Sequence, residues 1–102
     1  MYYPIRSNTS KVFQVNEQEE EFFGEFHSKL SDEQNHKIIL FRMSDGTLSA
    51  EYKRYPIGKV KLQGRKFWIQ TLKGLYGVKT FEGDLDLLKS HIEDWVKYLN
   101  KL

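Results

Sequence analysis

Two spacings of apolar residues run through the chain, and they divide it into helical ends and a pleated middle. Phe22, Phe23, Phe26 and Leu30 recur at helical spacing, and Asn16 precedes them with Glu19 three residues on, the arrangement of an N-cap and capping box. The pattern predicts a helix over Glu17–Leu30, with acids in its first turn at the positive end of the helix dipole. A second stripe, Leu85, Leu88, Ile92, Trp95, Val96 and Leu99, predicts an amphipathic helix from Leu85 to Asn100, with Asp84 as its N-cap. Between the two, Lys37–Met43 and Thr47–Arg54 read as strands joined by the Asp45-Gly46 signal of a two-residue hairpin turn. Pro56 and Gly58 interrupt the chain, after which Lys59–Gln63, Lys66–Leu72 and Tyr76–Phe81 alternate, separated by Gly64 and by Lys73-Gly74. Upstream, Tyr2–Ser10 is polar and irregular around Pro4, and Lys11–Val15 alternates as a short strand. The expected fold is α+β: an antiparallel sheet of four to five strands, a C-terminal amphipathic helix packed on one face, and a shorter acidic N-terminal helix.

Neighbours on a strand point to opposite sides of a sheet, so the alternation also assigns faces. Val60 and Leu62 are the apolar set of their segment, which sends Lys59 and Lys61 the other way. Phe67 and Ile69 as the inward pair leave Lys66, Trp68 and Gln70 outward. In the last segment Val78 and Tyr76 are read as inward and Lys79 as outward. A sheet covered by helix on one side only would then present lysines around a tryptophan on the other. If the N-terminal helix were a second layer, it would instead bury Trp68.

Composition narrows the classes. At 102 residues and 12.2 kDa the chain fits one domain, residues 1–102, and 39% hydrophobic with 15% aromatic residues is the composition of a folded one. The absence of cysteine excludes disulfides, thiolate metal sites and cysteine nucleophiles. No stretch approaches the roughly 18 apolar residues of a membrane span, and the opening residues lack the apolar run of a signal peptide. A soluble, cytoplasmic protein without membrane partners is expected. The net charge of +2 hides segregation: seven acids against one lysine between Glu17 and Glu33, then eight bases and no acid from Lys53 to Lys79. Opposed blocks in so small a domain make a dipolar surface able to steer a charged partner.

His27, His36 and His91 show no metal-ligand spacing, and the chain holds neither a phosphate loop, a dinucleotide fingerprint nor a nucleophile elbow. No enzyme activity and no cofactor is expected. A basic, aromatic-bearing sheet face matches what single-stranded DNA or RNA requires, cations for phosphates and a flat ring for a base. The expected nucleic-acid-binding residues are Lys59, Lys61, Lys66, Trp68, Gln70 and Lys79. In element order alone, strands followed by a C-terminal helix over Lys37–Leu102, the chain is similar to the single-stranded-DNA-binding Whirly proteins and related transcriptional coactivators, whose sheets carry basic and aromatic residues. The resemblance has no motif that would carry residue roles over. The alternative is a regulatory interaction domain, of the kind mobile genetic elements carry, that binds a basic protein partner through Glu20, Glu21 and Glu25, or pairs with a second copy of itself.

Overall fold

The computed structural model of the chain describes residues 1–74 and 77–102. Its described residues form a six-stranded sheet in sequence order, β1 (Ile5–Ser7), β2 (Ile38–Arg42), β3 (Leu48–Tyr52), β4 (Tyr55–Lys61), β5 (Trp68–Lys73) and β6 (Gly77–Glu82). From β2 onward the sheet is an antiparallel meander, whereas β1 runs parallel to β2. The α+β class therefore holds, with a mixed sheet of more strands than expected. The extra strand arises where the sequence reads as irregular: Ile5–Ser7 pairs with Leu40–Arg42, and Pro4, which has no amide to donate, contributes its carbonyl to Leu40 N. Lys11–Val15, read as a strand, is irregular chain instead.

Helix α1 (Glu17–Ser28) starts at the predicted capping box: Asn16 Oδ1 accepts from Glu19 N at 2.8 Å and the Glu19 side chain returns to Asn16 N at 3.2 Å. It stops two residues early, capped at Lys29. The following linker holds a one-turn helix, α2 (Asp32–Asn35), with its own capping box between Ser31 and Gln34. The C-terminal helix is broken at His91 into α3 (Leu85–Ser90) and α4 (Ile92–Leu99). The apolar stripe runs through the break, with Leu88, Ile92, Trp95 and Leu99 all buried. The His91 ring stacks on Phe81 with centroids 3.7 Å apart and its Nδ1 lies 3.0 Å from Asp94 Oδ2, tying the break to the sheet and to the next turn.

Both helical segments lie on the same face of the sheet. Phe22, Phe23 and Phe26 of α1 surround Trp95 of α4, and this aromatic group shares one core with Ile38, Leu40, Leu48, Ala50, Val60 and Ile69 from the strands. Trp95 donates from Nε1 to the Gln70 carbonyl at 3.0 Å, across a position where only glycine fits. A Cβ on Gly58 would stand 2.2 Å from that nitrogen. Gly58 and Pro56 thus belong inside β4, where the register shifts between Ala50 and Glu51, rather than interrupting the chain. The turn lies earlier, at Lys53 and Arg54, both at positive φ (53° and 72°) between the paired Tyr52 and Tyr55. The β2–β3 loop is three residues, not two: Met43 N bonds Thr47 O, and Gly46 takes the left-handed position at φ 92°.

Candidate nucleic-acid interface

The register assigns the open face row by row. Lys59 lies between Ser49 and Gln70, and Gln70 is followed by Thr80; in the adjacent row Lys61 pairs with Trp68 and Trp68 with Glu82. Val60 and Ile69, the residues between them, are buried against the helices. Lys59, Lys61, Trp68 and Gln70 therefore share the face opposite α1 and α4, each half-buried among its neighbours. Trp68 takes no part in the helix-side core, so it is not under the N-terminal helix.

A shallow recess of ≈ 250 Å³ adjoins the indole, bounded by Met43, Asp45, Thr47, Lys59 and Trp68. Partial burial pushes the Asp45 carboxyl up, but the hydrogen bond from Thr47 N at 3.0 Å and the nearby Lys61 charge leave the group below the usual aspartate range. The recess thus carries a fixed negative charge beside the lysines. Glu51 and Glu82 also lie on this face, which makes it mixed in charge rather than uniformly cationic.

One further residue joins the face that the sequence pattern did not single out. Phe41 is half-buried and sits in register with Ser49 on one side and Arg6 on the other, in the same row as Lys59. The signal was present, since Ile38 and Leu40 point inward and alternate residues must point outward. The unbroken apolar run Ile38–Phe41 concealed it.

Lys66 is exposed in the loop that precedes β5 rather than on a strand, at the rim of the face. Lys79 is on the wrong side for the expected site. It pairs with Thr71, which is buried on the helix-bearing face, while Val78 pairs with Leu72 on the open face and is 56% exposed. The sequence offered Val78 and Phe81 as apolar residues three apart, which a two-residue period cannot both place inside. Pairing of Phe81 with buried Ile69 decides the register and reverses the expected orientation of Lys79. Tyr76 lies outside the described residues.

Two of the three acids proposed for a protein partner, Glu20 and Glu21, are drawn into ion pairs within the chain. Glu20 Oε1 is 3.1 Å from the Met1 amino group and Glu21 Oε2 accepts from Lys89 Nζ at 2.9 Å. Lys89 is raised above its ordinary value chiefly by that hydrogen bond, with Glu25 adding a smaller favourable charge. Among the described residues, no group of three or more His, Asp or Glu is placed to hold a metal ion, and no helix is long and apolar enough to cross a membrane. No protein-family model, no curated protein and no solved structure matches the chain.

Proposed function

We propose that the chain is a non-enzymatic module that holds single-stranded nucleic acid on the open face of its sheet. Lys59 and Lys61, with Lys66 at the rim, contact phosphates; Trp68 is the platform on which a base stacks, Phe41 offers a second ring, and Gln70 supplies a donor and an acceptor to base edges. The observation that carries this reading is the meander register, which sets Lys61 directly opposite Trp68 and Lys59 opposite Gln70 on a face without a helix. The mixed charge of the face favours modest, salt-sensitive affinity. The Asp45 carboxylate disfavours phosphate entry at the Met43 end of the recess and directs the backbone toward Lys59 and Lys61.

Anisotropy of a labelled oligothymidylate, titrated with protein at several salt concentrations, tests the proposal. Three phosphate contacts give a log–log salt slope of about −2, and loss of the stacking ring in Trp68→Ala weakens single-strand binding by about 1–3 kcal/mol with little effect on duplex. Lys59→Glu with Lys61→Glu abolishes binding, whereas Lys79→Gln leaves it unchanged because that side chain is on the other face. No binding at low salt removes the proposal.

A further inference from the structure

On the helix-bearing side, α4 leaves a cavity of ≈ 470 Å³ against the end of β5, lined by Thr71, Lys73, Asp94, Lys97, Tyr98 and Lys101 among others. This volume is in the range of small-molecule sites. Asp94, Lys97 and Tyr98 reach it from one side of α4 because they are three or four residues apart, and Lys101 follows from the turn after the helix. Lys79 joins from β6, where it stands opposite Thr71. Three lysines thus line the cavity, with Lys79 beside it, against a single acid, Asp94, whose Oδ2 is already engaged by His91 Nδ1 at 3.0 Å.

Two features of this cavity are unfavourable on the protein's own groups alone. Lys79 lies beside Lys73 across the β5–β6 pairing, and its amine holds Lys73 below the usual lysine value. Thr71 is 1% exposed and its Oγ1 has no hydrogen-bond partner among the described residues. An unpartnered buried hydroxyl is costly and rare, and an oxyanion between the two amines would satisfy all three groups at once. We propose that this cavity binds a small organic anion, its phosphate or carboxylate head held by Lys73, Lys79 and Thr71 Oγ1 and its apolar body resting on Tyr98. The site is independent of nucleic-acid binding, since Thr71 and Trp68 face opposite sides of β5.

The test uses the full chain with anilinonaphthalene sulfonate as a fluorescent anionic probe, its uncharged analogue phenylnaphthylamine as control, and hexyl phosphate and hexanoate as competitors. The sulfonate binds and perturbs the amide resonances of Thr71 and Tyr98, while the uncharged analogue binds about tenfold or more weakly, as expected when charge-assisted hydrogen bonds hold the head. Lys73→Gln with Lys79→Gln, both at exposed positions, weakens the probe by a similar factor and leaves oligonucleotide binding intact. Thr71→Val weakens it too, with a melting temperature no lower than that of the parent. The stronger competitor identifies the head group. Equal binding of the uncharged analogue, displacement by neither competitor, or probe binding sensitive to Trp68→Ala but not to the lysine changes would overturn the assignment.

Discussion

Arg42 is a charged residue on the inward side of a strand, where its neighbours are Leu40 and Leu48. It is tolerated because α1 brings Glu19 onto it. Arg42 Nη1 donates to Glu19 Oε2 at 2.5 Å and to the Gly46 carbonyl at 2.9 Å, and Nη2 donates to Glu19 Oε1 at 3.2 Å. Gln63 Nε2 adds a bond to Glu19 Oε1 at 3.0 Å, and both ionic side chains are almost fully buried. Removing one partner leaves the other charge buried without its counterion, so Arg42→Met should cost about 3–5 kcal/mol in urea unfolding. The double change Glu19→Leu with Arg42→Met should cost clearly less, since no charge is then stranded. Equal losses in the two would show that packing, not charge, sets the penalty. Tyr3 makes a second residue-scale test. Its hydroxyl donates to Asn35 Oδ1 at 2.7 Å, and burial pushes its ionisation above the ordinary tyrosine range. The folded state thus favours the neutral phenol; that preference is fully present below about pH 10 and is lost as pH rises toward the folded value. Tyr3→Phe should be about 1 kcal/mol less stable at neutral pH, from the lost hydrogen bond, with the deficit shrinking above about pH 10 as the parent alone pays for ionisation. A deficit constant to pH 12, read from paired denaturation curves on the scale of about 1 kcal/mol, would exclude this linkage.

At the scale of elements, the β3–β4 hairpin is closed by the wrong kind of residues. Lys53 and Arg54 both occupy positive φ, where a Cβ is strained and where Asn-Gly is the favoured pair. Lys53→Asn with Arg54→Gly should raise stability by roughly 1 kcal/mol, measured as a higher melting temperature with an unchanged fold. A lower melting temperature would mean that the Lys53 amine, 5.3 Å from the centre of the Tyr52 ring, contributes more than the turn strain costs. The same turn explains why this part of the sheet was hard to read: Lys-Arg gives no turn signal, so the punctuation passed to Pro56 and Gly58, which are strand residues. The faces of β4 and most of β5 were legible because Val60, Leu62, Phe67 and Ile69 keep strict alternation. The face of β6 was not, because only pairing with β5 chooses between Val78 and Phe81. Strand β1 was hidden for a related reason. Three residues carry too little periodicity to announce a strand, and its existence depends on the free edge of β2. The break at His91 left no trace in the apolar stripe, since Leu88, Ile92, Trp95 and Leu99 keep helical spacing across it.

At the scale of the whole molecule, the charge blocks of the sequence are redistributed by folding. The acidic helix and the lysines of the open face end up on opposite sides of the sheet, so neither neutralises the other within one chain. That separation would permit one copy's α1 to dock on another's open face. The paired state of the helix argues against it: Glu19 is consumed by Arg42, Glu20 by the Met1 amino group and Glu21 by Lys89. The two exposed pairs, those of Glu20 and Glu21, add about 0–1 kcal/mol each to stability, yet all three pairs remove charge a partner would sense. The receiving face is weakened as well, because Glu51 and Glu82 stand among its lysines. Electrostatic self-association should therefore be absent, and light scattering should give the monomer mass of 12.2 kDa at both low and high salt. Twice that mass at low salt, falling to the monomer as salt rises, would show that α1 still carries enough free charge to bind a cationic surface. Lys89→Gln with Lys29→Gln sharpens the comparison. It releases Glu21 and Glu93, whose carboxyl the Lys29 amine holds below the ordinary glutamate range through a 2.7 Å hydrogen bond. If internal pairing is what keeps the chain monomeric, that variant alone should associate at low salt.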